Sequence, residues 1–166
     1  SAEGEGPVVT HVTTGKIVDA GVTDANNMGA AMAPAALETL CTHFADTGRT
    51  PDYYDIIATG DLCEVGSAIL RELSSLNGYD LSSNHNDCGL LIYDRGKKDI
   101  AAGGSGCGCG ASVLAGYFLP KLRSGEIKRL LFAATGALMS PTTTLQGESI
   151  LGICHAVAIE NLGGAC

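Results

Sequence analysis

The sequence predicts an α/β fold built on a largely parallel or mixed sheet, and three observations support this. Strand-like and helix-like stretches alternate in the order β-α-β-α-(β)-α-β-β, a pattern that calls for right-handed crossovers between parallel strands. Glycines stand where the helical stretches end, at Gly48, Gly78 and Gly125, as helix C-termini favour. The 166 residues are 45% hydrophobic, enough for one well-buried core. We therefore expect a single domain over residues 1–166 with a mixed five-stranded sheet.

Val8 to Val18 is rich in β-branched residues and reads as one strand bent at Gly15. Asp24-Ala25-Asn26-Asn27 is a turn cluster with several possible N-caps. After Pro34, residues Leu37, Leu40, Cys41 and Phe44 share one helical face. Pro34 suits a first turn, where its missing N–H is not needed. Tyr53 to Thr59 is a buried strand leaving sharply at Gly60-Asp61. Val65, Ile69, Leu73 and Leu76 stripe a second helix. Cys88 to Tyr93 reads as a short strand or a helical turn, and Asp99 to Ala102 as a further strand. Val113, Leu114, Tyr117, Phe118 and Leu122 mark a third helix. Arg129 to Ala134 is a strand and Thr135 to Glu148 a polar loop. Ile150 to Glu160 is the last strand, with Ile153, His155, Val157 and Ile159 on one face.

Composition narrows the function classes. Ten Lys+Arg against eighteen Asp+Glu give a net charge of −8, which argues against a nucleic-acid or anionic-lipid surface. No apolar run reaches the ~20 residues of a membrane helix, and no stretch reads as a signal peptide. The acidic opening Ser1-Ala2-Glu3-Gly4-Glu5 without a Met reads as a cut inside a longer protein. Seven cysteines, an odd number spread through periodic apolar segments, indicate buried thiols in a reducing compartment rather than a disulfide frame.

The most informative local feature is Gly103-Gly104-Ser105-Gly106-Cys107-Gly108-Cys109-Gly110, between a strand-like segment and a helix start. It fits neither a Walker A loop nor G-x-G-x-x-G. It reads either as close backbone packing or as a carboxylate or phosphate cradle at a helix N-terminus. Cys107-x-Cys109 is too tight for the usual zinc pair, so no metal or cofactor is expected. Cys107 on a strand-to-helix turn also has the look of a nucleophile elbow, with His85 and His155 as unassigned bases. Thr59 and Asp61 lie at the carboxyl end of their strand, where open α/β sheets build their sites; Asp61 reads equally as an N-cap. The candidate pocket wall is Thr59, Asp61, Gly104, Ser105 and Cys107. The hydroxyl-rich loop 140–149 is functional or interfacial, and Arg95, Lys97 and Lys98 form a solvated turn.

Several blocks in order, Met28–Ala36, Ala58-Thr59-Gly60-Asp61-Leu62, Asn86–Tyr93, Gly103–Cys107, Thr135–Pro141 and Gly147-Glu148-Ser149-Ile150, resemble the stage V sporulation protein AD family of endospore-forming bacteria. That family resembles the thiolase and ketoacyl synthase superfamily, whose members carry two β-α-β-α-β-α-β-β halves in an αβαβα sandwich. The likeness here is to the carboxyl-terminal half. The resemblance implies that the nucleophilic cysteine belongs to the absent half. It further implies that the superfamily's His and Asn (or His) positions are held here by Gly60-Asp61 and Gly104-Ser105, leaving no catalytic residue. The family is associated with binding dipicolinic acid (with or without calcium) and its uptake into the developing spore. That implies a place peripheral to the inner spore membrane, beside membrane transport proteins of the same operon. Gly108, Gly110 and Leu151 depart from the family pattern. None of the ten Lys/Arg falls in the pocket loops, so the donors for a dianion are expected from the missing half; a bare half is also expected to pair with a second copy. The competing readings are an acyl-transferring or condensing enzyme using Cys107, and a structural module of a spore membrane transport complex.

Overall fold

The computed structural model describes residues 6–94, 96–97, 100–161 and 163. The first β-rich stretch is two strands, β1 (Val8–Thr13) and β2 (Val18–Asp19). The interruption has a packing cause at Gly15: a Cβ there would lie 1.8 Å from the Cys154 carbonyl oxygen and 2.3 Å from Thr39 Oγ1. A side chain cannot fit between this segment and the helix above it.

Helix α1 runs over Met28–Thr47, starts at an Asn27 side chain that accepts the Ala30 N–H, and ends at a left-handed Gly48. It therefore begins before Pro34, which lies inside it. Ahead of the proline the chain reads Met28-Gly29-Ala30-Ala31-Met32-Ala33, dominated by the best helix former. This first part is also held by packing: a Cβ on Gly29 would sit 2.3 Å from the Leu62 carbonyl, and one on Gly66 would sit 2.6 Å from the Gly29 carbonyl. Close backbone contact between α1 and α2 (Cys63–Leu76) thus keeps a turn that a proline alone would disfavour.

Strand β3 (Ile56–Thr59) follows a 3₁₀ turn at Pro51–Tyr53. The uncertain segment resolves into β4 (His85–Asp87) and one helical turn, α3 (Cys88–Leu91). Ile100 to Ala102 form no strand; Asp99, like Arg95 and Lys98, lies outside the described residues. The third helical stretch comprises α4 (Cys109–Val113), a π-helical turn (Leu114–Phe118) and α5 (Leu119–Ser124), stopped by a left-handed Gly125. Strand β5 continues to Leu138 (Arg129–Leu138), and a short helix α6 (Pro141–Leu145) with a Ser140 capping box precedes β6 (Leu151–Glu160). The expected polar loop, Thr135 to Glu148, therefore gives its first four residues to β5 and five more to α6.

The sheet has six strands where five were expected, because β2 pairs separately with β6. Its main order is β1-β6-β5-β3-β4, with β3 parallel to β4 and β5, and β6 antiparallel to both of its neighbours, β5 and β1. One face, carrying Ile57, Leu131, Ala133, Cys154, Ala156 and Ala158, packs under α1 and α2. The other, carrying Ala58, Leu130, Phe132 and Ile159, packs against α4 and α5. Ile153, His155, Val157 and Ile159 share one face of β6 as expected, with Ile159 buried, but the opposite face is the more deeply covered. Cys154, Ala156 and Ala158 are its buried set, while His155 is exposed and Ile153 and Val157 are half-buried. On the same side of β1, Val9 and Val12 are 58% and 65% exposed, so this end of the second face is bare and apolar.

Candidate functional site

Parallel strands β3 and β5 run side by side, with Thr59 opposite Ala133, and both chains leave the sheet at the same end. There they meet the glycine-rich turn 103–110 and the start of α1. Together these border a cavity of about 540 Å³, whose walls include Met28, Met32, Asp61, Ser105, Cys107 and Phe132. Most of its lining is apolar. Among the described residues that line it, Asp61 is the only acid, and there is no His, Lys or Arg.

Asp61 does not cap α2. Its carboxylate accepts the Ser105 hydroxyl at 2.9 Å, the Gly106 N–H at 3.1 Å and the Thr135 hydroxyl at 3.1 Å. The Thr135 oxygen in turn accepts the Asp61 N–H at 3.1 Å. One side chain thereby ties three segments together. The cap of α2 comes from another strand: the Asp87 carboxylate accepts the Leu62 and Cys63 N–H groups, each at 2.9 Å. Leu62, at the N-cap position, has no side-chain acceptor of its own, so a carboxylate from β4 fills that role. Burial pushes the Asp87 carboxyl up, against the pull of the Thr59, Cys63 and Leu62 donors.

Of the five residues expected to form the wall, Asp61, Ser105 and Cys107 line the cavity. Thr59 and Gly104 do not line it. Thr59 is buried and turns its hydroxyl to Asp87 at 2.6 Å and to His85 Nε2 at 3.0 Å. Gly104 packs beneath the wall: its N–H donates to the Gly89 carbonyl at 2.7 Å, and a Cβ would meet Ile92 at 2.5 Å. Thr135, Met28 and Met32 escaped sequence reasoning. Thr135 and Gly136 carry a loop-like composition, and only their pairing with Cys154 and Ile153 of β6 makes them strand; the methionines stand at i, i+4 on one face of α1.

The thiols split sharply. Cys107 is exposed at the cavity, whereas Cys88, Cys109 and Cys154 are buried, and the six described cysteines form no disulfide. Burial and the carboxylates of Asp87 and Asp61 push the Cys63 thiol up to about 11, and burial pushes Cys88 and Cys154 to about 12. Neither candidate base serves Cys107. His85 is buried, held between Thr59 and the Arg71 guanidinium at 3.2 Å, and lowered to about 4 by burial and that cation. His155 accepts the Gly15 N–H at 3.1 Å and is not among the residues that line the cavity. Among the described residues no cluster of three metal-ligating side chains exists. No described helix is long and apolar enough to cross a membrane.

Cys63 is the one described non-glycine residue with positive φ, at 57°. Its thiol reaches the Gly104 carbonyl at 3.2 Å, so a strained residue at the head of α2 also holds the glycine-rich turn in place.

Residues 1–160 match the family described as Stage V sporulation protein AD (SpoVAD). This chain belongs to that family. The stage V sporulation protein AD of Bacillus subtilis (strain 168) is 48% identical over 157 residues, which cover 95% of this chain and 46% of the relative. The chain thus spans about half the length of the curated relative that it matches. Among solved structures, a 3-oxoacyl-(acyl-carrier-protein) synthase III superposes with a TM-score of 0.50 at 11% identity, covering 97% of this chain and 52% of that one. A 3-oxoacyl-[acyl-carrier-protein] synthase III of Aquifex aeolicus VF5 gives 0.45 at 11% identity, over 95% and 54%. At such identity the likeness concerns the fold, which is thiolase-like.

Proposed function

We propose that this chain is the carboxyl-terminal, non-catalytic half of a sporulation protein that binds dipicolinic acid and supports its uptake into the developing spore, peripheral to the inner spore membrane. The observation that carries the non-catalytic part is the Ser105–Asp61 hydrogen bond at 2.9 Å. These residues stand where the superfamily resemblance implies an imidazole and an amide or second imidazole, and they satisfy each other. Condensation needs a base near the nucleophile and donors aimed at a developing oxyanion. The Asp61 carboxylate engages the Ser105, Gly106 and Thr135 donors, and no described histidine lines the cavity beside Cys107.

The binding part rests on family membership and on the cavity. Its apolar wall of Met28, Met32, Leu114 and Phe132 suits the flat face of a pyridine ring. The ligand's two negative charges call for cations, and the described lining carries no Lys, Arg or His; the remaining half of the protein is the source we assign to them. The bare strip around Val9, Val12 and Val157 is then where that half rests; in the isolated chain, a second copy takes its place.

Calorimetry of dipicolinate, with and without Ca²⁺, against the full-length protein and this chain tests the proposal. Saturable binding by the full-length protein is expected, with a much weaker response from this chain alone. A full-length protein that shows no dipicolinate heat in either condition refutes the binding function. Alkylation of Cys107 tests the non-catalytic part: its rate is expected to be the same in His85→Gln and His155→Gln variants, and a slower rate in either would restore a covalent mechanism.

A further inference from the structure

We infer that Asp61 acts as a charge filter in this cavity, opposing free carboxylate ligands and favouring groups that present a hydrogen-bond donor to it. The inference rests on the dipicolinate reading and gives its pocket a polarity. The cavity holds one charged side chain among its described lining, and that charge is negative. Opposite it, the Ser105 hydroxyl and the Gly106 N–H, two of the donors at the glycine-rich turn, are already donated to Asp61 at 2.9 and 3.1 Å. The Thr135 hydroxyl donates to its other oxygen at 3.1 Å.

Asp61 therefore occupies, from within the chain, the place of a bound anion. A ligand carboxylate that approached would have to displace it or sit beside it. Both are unfavourable, the first because hydrogen bonds to a charged acceptor are strong, the second because like charges a few ångströms apart repel. A dianion that binds here must turn its ring to the apolar wall of Met28, Met32, Leu114 and Phe132 and its carboxylates away from Asp61. Asp61 is thus a specificity-determining residue whose effect on dipicolinate is negative.

This sign separates it from a structural role. In the full-length protein, Asp61→Asn keeps an acceptor for the Gly106 N–H and removes the charge. Dipicolinate is expected to bind the variant about three- to tenfold more tightly, the size of a unit charge acting across a few ångströms of wet cavity. Added salt should narrow that gap. Pyridine-2,6-dicarboxamide, a neutral probe of the same outline with N–H donors, should gain nothing from the substitution. Asp61→Ser, which keeps a small polar group without charge, should move dipicolinate in the same direction and guards against a folding defect in one variant.

Weaker dipicolinate binding in both variants at unchanged melting temperature would overturn the inference while leaving the binding function intact. An equal gain for the neutral probe would overturn it as well. A wild-type protein that binds neither probe overturns both readings.

Discussion

Two carboxylates at opposite ends of the sheet show how differently one fold can treat a negative charge. Glu160 closes β6 beside the start of β5 and is 2% exposed. Burial alone would raise its carboxyl, yet it lies below the usual range because Thr10, Tyr53 and Arg49 all donate to it, Arg49 at 2.8 Å. The Arg49 guanidinium also stacks 4.2 Å from the Tyr53 ring centre and donates to the Tyr54 hydroxyl at 3.1 Å, which is bonded to His43 Nε2 at 2.6 Å. Asp61, at the far end, is part-buried and takes neutral donors only. A buried charge with a cation belongs to the scaffold. A charge at a cavity with no described cation beside it remains able to act on whatever enters.

The comparison is broken most severely by removing the cation. Arg49→Ala leaves Glu160 buried without its partner, and an orphaned buried charge costs about 3–5 kcal/mol. We expect a loss near the lower figure, since Tyr53 and Thr10 still donate, read as a shift in the urea midpoint with an unchanged m-value.

Acid acts next. Burial and the Arg49 charge hold His43 at about 4, as burial and Arg71 hold His85, while the histidines of the unfolded chain take up protons at ~6.5. Between those values the unfolded state binds more protons, so stability falls as pH drops from about 6.5 towards 4. Urea unfolding at several pH values should show this slope, and His43→Gln should make it shallower. A profile flat across that window would mean that the scaffold end is wetter than its packing indicates.

The smallest effect belongs to the cavity end. Ser105→Ala removes one exposed hydrogen bond to Asp61, expected to change stability by under ~1 kcal/mol. A loss as large as that for Arg49→Ala would show that Asp61 is scaffold too, and would erase the contrast.

Much of this architecture was legible in advance because it follows from local rules. The i, i+3, i+4 spacing of Leu37, Leu40, Cys41 and Phe44 placed a helix, and Gly48 ended it, as observed. Its start lies ahead of Pro34, because the Gly29–Gly66 contact overrides the local preference of the proline. Strand β5 outruns its local pattern because Thr135 and Gly136, loop-like in composition, pair with β6, Thr135 against Cys154 and Gly136 against Ile153. Asp61 and Ser105 could be singled out by position, but their mutual bond spans 44 residues. Thr59 stands two residues before Asp61 and yet faces inward, because it is the last residue of β3 and its hydroxyl is held by Asp87 and His85, whereas Asp61 lies past the strand end, where the chain turns at Gly60.

What this sequence determined by itself was periodicity and family: which stretches coil, which extend, where glycine ends them, and the motif blocks that mark a sporulation protein. Only the tertiary structure decided how each ionisable group is compensated: Glu160 by Arg49, Asp87 by the head of α2, Asp61 by neutral donors from two other segments. The physical reason is range. Helices and strands arise from neighbours along the chain, whereas the state of a charge depends on what folding brings within a few ångströms of it, whatever the distance in sequence.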